Sequence, residues 1–133
     1  MLKTLIKILI VLGITYLVFQ IPVSYAYAPE IAFEDWTAEQ KVEFWAEHYN
    51  ASEQEMKRVI TCESGWQPEV KGDGGKAYSY AQFHEPTFNM WAKELNKDLS
   101  YSNPDDHLEL MAYAFSKGSS YKKHWTCWTK LYR

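Results

Sequence analysis

Cys62 and Cys127 are the only cysteines in this chain. In an exported protein an even pair reads as a disulfide. It would close a loop of about 66 residues and stabilise the fold by roughly 4 kcal/mol on the chain-entropy model. It would also pin the helix that carries Cys62 to the C-terminal segment. The fold must then bring these two regions together. The alternative reading is a pair of free thiols.

Export is indicated by the N-terminus. Lys3 and Lys7 precede or enter an apolar run over residues 8–19, broken by Gly13, Thr15 and Tyr16. The small-residue stretch Ser24-Tyr25-Ala26-Tyr27-Ala28 follows. That order is the n-region, h-region and A-x-A site of a secretory signal. Cleavage after Ala26 fits better than after Ala28, which would leave Pro29 in the first mature position. The alternative is an uncleaved membrane anchor, because residues 5–23 are nearly long enough to span a bilayer. Both readings put the folded part outside the cytoplasm, and the early lysines agree with that orientation. The sequence therefore divides into a signal or anchor over residues 1–26, a tether over 27–36 and a domain over 37–133.

Charge narrows the partners. Formal net charge is −3, and losing residues 1–26, with two lysines and no acids, takes it to −5. No basic run appears, which argues against nucleic acid. His48, His84, His107 and His124 show no ligand-pair spacing, so neither a metal nor another cofactor is expected. Aromatic residues reach 17%, including six Trp and ten Tyr. Such rings either fill a core or stack on the apolar faces of sugars. A monomer is expected.

The element pattern is helical. Thr37-Ala38-Glu39-Gln40 is a capping box, followed by Val42, Trp45, Ala46 and Tyr49 at helical spacing. Asn50-Ala51 breaks that helix. Ser52-Glu53-Gln54-Glu55 is a second box, and Met56, Val59, Ile60 and Glu63 line one face of its helix. Gly65 suits the position after the helix end. Residues 67–80 read as a polar loop with tight turns at Gly72-Asp73-Gly74-Gly75. Pro86 opens a third helix with Phe88, Trp91, Ala92 and Leu95 on one face. Asn103-Pro104-Asp105-Asp106 opens a fourth, with Leu108, Met111, Ala112 and Phe115 as its buried stripe. Gly118 stops it, and the aromatic, basic tail over 121–132 reads as one short last helix. The expected fold is mainly α: four or five helices around one core, with a glycine-rich loop or short hairpin excursion.

Within this frame Cys62-Glu63-Ser64-Gly65-Trp66 places a carboxylate at a helix end, beside an indole. A carboxyl packed against apolar rings loses hydration, and its pKa rises. It then keeps its proton near neutral pH and can donate it to a leaving oxygen. The bland alternative is a surface Glu near a helix end.

Together with Gly74-Gly75, Tyr78, Gln82-Phe83 and Thr87, this stretch resembles the lysozyme-like superfamily of peptidoglycan-cleaving enzymes. It is most similar to soluble-lytic-transglycosylase domains and to the catalytic domain of resuscitation-promoting factors. Glu63 to Gln82 spans 19 positions and Gln82 to Thr87 spans 5, as in the family pattern. Cys62 and Trp125-Thr126-Cys127 match the cysteine pair of the resuscitation-promoting factors. The resemblance covers roughly residues 52–130. One departure stands out: Tyr80 occupies the place where the family usually has Gly, which would narrow the groove or add a stacking ring.

The resemblance implies a small lysozyme-like helical domain that acts on peptidoglycan glycan strands. Glu63 would protonate the oxygen between N-acetylmuramic acid and N-acetylglucosamine. A hydrolase also needs a second carboxylate across the bond. Asp73 is the acid placed for it, with a turn-forming role as its alternative. A lytic transglycosylase manages with one Glu, because the muramic acid 6-hydroxyl attacks its own anomeric carbon. The single clear acid favours the transglycosylase; a lysozyme-type hydrolase and an inactive glycan-binding module are the rivals. Ser64 either binds substrate or caps the helix end. Gln82 either holds a sugar amide or hydroxyl or braces the loop. Trp66, Tyr80 and Tyr113 either line the groove or pack in the core. Thr87 supports helix geometry, and Glu85, the rival acid, interacts with a helix dipole.

Overall fold

The structure is a computed structural model that describes residues 32–133. The signal or anchor over 1–26 and most of the tether lie outside the described residues. At the end of the expected tether, Phe33–Asp35 forms a single 3-10 turn. The Phe33 ring packs against Trp36, Phe44 and Trp45.

Six α-helices and a three-stranded sheet follow among the described residues. Helix α1 spans Ala38–Tyr49 and has the full capping box at its start: the Thr37 hydroxyl accepts from the Gln40 amide, and the Gln40 side chain accepts from the Thr37 amide. Helix α2 spans Glu53–Glu63. Its Ser52 cap accepts from the Glu55 amide, but the Glu55 carboxylate turns to Lys122. Helix α3 spans Glu85–Leu95 with Pro86 in its first turn. Helix α4 spans Pro104–Ser116, capped by Asn103.

The tail differs from a single helix. It forms α5, Ser119–Lys122, and α6, Thr126–Tyr132. Trp125 separates them in an extended conformation. Its ring is buried against Phe83 and Phe115. Burying that indole stabilises the fold more than continuing one exposed helix would.

Helix α4 is the centre. Every residue from His107 to Phe115 is buried, not only the stripe at Leu108, Met111, Ala112 and Phe115. Helices α1, α2, α3 and α5 pack around it, so no side of its middle faces water. Val42, Met56, Ile60 and Phe88 meet Leu108 and Met111 in this core.

The glycine-rich segment is a small antiparallel meander. Strand β1 is Lys71–Gly72, β2 is Ala77–Tyr78 and β3 is Phe83–His84. The order is β1-β2-β3, with Gly72 opposite Ala77 and Ala77 opposite His84. This register brings the Asp73 turn beside His84. Among the described residues no helix is long and apolar enough to cross a membrane.

Candidate active site

Glu63 is the last residue of α2, and its side chain is half-buried. Helix α2 ends there because Ser64 leaves helical geometry and Gly65 adopts φ +59°. Glu63 points into a cleft of about 580 Å³, within the size range of small-molecule sites. The meander supplies Gly72, Asp73, Ala77, Gln82, Phe83 and His84 to this cleft. Helix α3 supplies Thr87 and Trp91, and the chain entering α6 supplies His124, Trp125 and Thr126.

Burial raises the pKa of the Glu63 carboxyl above its ordinary value. Two smaller effects oppose this: the Cys127 backbone N–H donates to Glu63 Oε1 at 3.1 Å, and Lys130 lies nearby. Asp73 differs from Glu63. Its side chain is 63% exposed, and its Oδ2 lies 3.0 Å from His84 Nε2. The cleft thus holds one shielded carboxyl and one solvated carboxylate.

Gln82 lines the cleft and also braces it. Its amide Nε2 donates to the carbonyls of Val70, at 3.0 Å, and Ser79, at 2.6 Å. Its Oε1 closes over Gly72, where a β-carbon would collide with it. The remaining sequence-derived binding residues lie elsewhere. Ser64 is buried and donates to the Ile60 carbonyl, so it terminates the helix. Trp66 donates its indole N–H to Thr61 Oγ1 and packs beside α2. Tyr113 is buried in α4 and donates to Glu94. None of the three lines the cleft.

Tyr80 also lies off the cleft, half-buried against the core. It neither narrows the groove nor adds a ring to it. The left-handed backbone falls one residue earlier, on Ser79 at φ +67°. Ser79, not Tyr80, therefore holds the position where glycine would be at ease. Glu85 sits in the first turn of α3, outside the cleft. Thr87, read only as a helix support, reaches it.

The sequence reading missed His84, His124 and Trp91 as cleft residues. His124 meets the Trp91 ring edge-on at 5.1 Å. Trp91 was assigned to the buried stripe of α3; it is buried and still forms part of the cleft wall. The disulfide joins Cys62 to Cys127, with Cα atoms 5.9 Å apart. Among the described residues no cluster of His, Cys, Asp or Glu is arranged to hold a metal ion. No family model matches the chain, and no curated protein or solved structure is significantly similar to it.

Proposed function

We propose that this protein is an exported enzyme that cleaves peptidoglycan glycan strands as a lytic transglycosylase, with Glu63 as its acid/base, on a lysozyme-like domain. The carrying observation is the shielded Glu63 carboxyl at the wall of a cleft that also holds Gln82 and two Trp rings. Burial raises the pKa of Glu63 and so favours its protonated form, the form that gives its proton to the glycosidic oxygen between N-acetylmuramic acid and N-acetylglucosamine. The Glu63 carboxylate then accepts the proton of the muramic acid 6-hydroxyl as that oxygen closes on the anomeric carbon. The product is a 1,6-anhydro sugar, and no second carboxylate is needed. Trp91 and Trp125, almost wholly buried, give the cleft an apolar edge rather than an open stacking face. The disulfide fits an oxidising compartment outside the cytoplasm.

Asp73 in the same cleft favours a second reading, lysozyme-type hydrolysis with Asp73 as the opposing carboxylate. An inactive glycan-binding module is the remaining alternative. Digestion of purified peptidoglycan, read by mass spectrometry, separates them. Anhydromuropeptides that vanish in Glu63→Gln are the expected result. Hydrated reducing ends that vanish in Asp73→Asn would install the hydrolase instead. Binding without any product would leave only the module.

A further inference from the structure

Glu63 accepts a hydrogen bond from the residue to which its own neighbour is crosslinked. Helix α2 presents the carboxyl, and the N–H of Cys127 in α6 donates to Glu63 Oε1 at 3.1 Å. The Cys62–Cys127 disulfide starts one residue before Glu63 and ends on the residue that supplies this donor. Lys130, one turn further along α6, adds positive charge on the same side.

Besides the crosslink, α6 is held along one face, where Trp128, Thr129 and Tyr132 are half-buried and the Trp128 indole nitrogen is fully enclosed. Cys127 is the only buried residue among its seven. Trp128 packs at the edge of the core, and Leu131 is 46% exposed. The apolar burial that docks α6 is therefore concentrated at Trp128 and the crosslinked Cys127. Trp125, just ahead of α6, has a separate anchor: its ring is in the core, and its Nε1 donates to the Ala81 carbonyl at 2.6 Å. A break in the disulfide would free α6 without extracting Trp125. Cys62 is exposed, so an external thiolate can reach the bond.

We propose that the Cys62–Cys127 disulfide is a positioning element of the Glu63 site, and that its reduction releases α6 and switches glycan cleavage off while the core stays folded. The activity part rests on the glycan-cleaving reading above; the positioning part does not. The chemistry is thiol–disulfide exchange. A dithiol such as dithiothreitol gives two electrons and two protons to the S–S bond, yielding two thiols, and itself closes to a cyclic disulfide.

Release of α6 has a signed effect on the carboxyl. The groups that face Glu63 are the Cys127 amide and Lys130 from α6, His124 just ahead of α6, and Asp73 and His84 from the meander. Burial is the largest influence on Glu63 and holds its proton on; the amide and Lys130 act more weakly in the other direction. Once α6 leaves, water reaches the carboxyl, and Glu63 titrates closer to an ordinary glutamate.

The test uses the full chain with ¹³C-labelled glutamate carboxyls, the Glu63 signal being assigned by its loss in Glu63→Gln. Glu63 is titrated in the oxidised and the dithiothreitol-reduced chain, with near-UV circular dichroism and peptidoglycan product release measured on the same samples. The expected reduced chain keeps its aromatic dichroism and titrates Glu63 at lower pH. Its product release falls about 10- to 100-fold, the scale on which ~1 Å misplacements act, and returns on reoxidation. A Cys62→Ser/Cys127→Ser chain should behave as the reduced form without any dithiol. An unchanged Glu63 titration in the folded, reduced chain would overturn the proposal. So would wholesale unfolding on reduction, which would make the crosslink a stabiliser of the whole domain. Should the oxidised chain release no product while Glu63 still shifts, the positioning role stands and the glycan-cleaving reading falls.

Discussion

Gln82 turns its amide inward, onto the Val70 and Ser79 carbonyls, and leaves its Oε1 against Gly72. Any side chain at position 72 must displace that oxygen. Gly72→Ala is therefore expected to cost about 1–3 kcal/mol, as overpacking does, measurable by urea unfolding. Ser79 is the opposite case. It holds φ +67°, and its buried Oγ has no hydrogen-bond partner. Left-handed backbone costs a non-glycine residue about 1–2 kcal/mol, and an orphaned hydroxyl adds about 1. The extra unfolded-state entropy of glycine takes back about 0.5–1 kcal/mol. Ser79→Gly should thus raise stability by about 1–2.5 kcal/mol; a drop would mean that Ser79 Oγ has a role in the folded state. Glu63→Gln carries a third expectation. A carboxyl whose folded pKa is raised favours folding below its unfolded pKa and loses that contribution as pH rises through the folded value. Above the unfolded pKa the folded chain bears a cost, as a shielded charge or as a proton held against solvent, while Gln keeps an oxygen for the Cys127 amide. The Glu63→Gln variant should therefore melt at the same temperature as the parent chain or higher at pH 7, with the gap closing in acid.

The starts of α1 and α4 were legible because each is settled within four residues. Thr37 with Gln40, and Asn103 ahead of Pro104, announce their helices through contacts that the sequence spells out. Asn103 does more than cap: its Oδ1 accepts from the Asp105 amide, and its Nδ2 donates to Asp106 Oδ1 at 2.9 Å. Asn103→Ala should lose about 1 kcal/mol, seen as a lower thermal midpoint. The meander was less legible. The Asp73–His84 pair depends on β2 lying between β1 and β3, and two-residue strands leave no alternating pattern to read. Tyr80 stayed open between groove and core for a related reason, since which residue turns left-handed depends on the whole loop path. The place of Glu63 at the end of α2, lining the cleft, was legible because its motif is local and its helix face is periodic. Its partner, the Cys127 amide, is a backbone group that no side-chain pattern reveals, although the cysteine pair points at the right residue.

The described domain is built around α4, and that placement buries a histidine. His107 donates from Nε2 to the Tyr101 carbonyl at 2.7 Å, and its Nδ1 has no partner. Phe83, Phe88, Tyr78 and Tyr101 surround the ring. Burial lowers its pKa from 6.5 to about 4. In the unfolded chain the imidazole takes a proton as pH falls below 6.5, whereas in the folded chain it resists until about 4. Stability is thus full above pH 6.5 and is lost as pH falls through that window, by roughly 3 kcal/mol in all. The carboxyls of Glu63 and Asp106 work in the opposite sense, because burial raises their pKa and folding then favours their protonated forms. Ordinary carboxyls in the unfolded chain take up protons near pH 4, so His107 should dominate the upper part of the window. Urea unfolding at pH 7, 5.5 and 4.5 should show stability declining with pH in the parent chain. In His107→Phe, which suits the aromatic surroundings and cannot titrate, that decline should be nearly flat down to pH 5. A decline of equal slope in the variant would assign the acid sensitivity to another group.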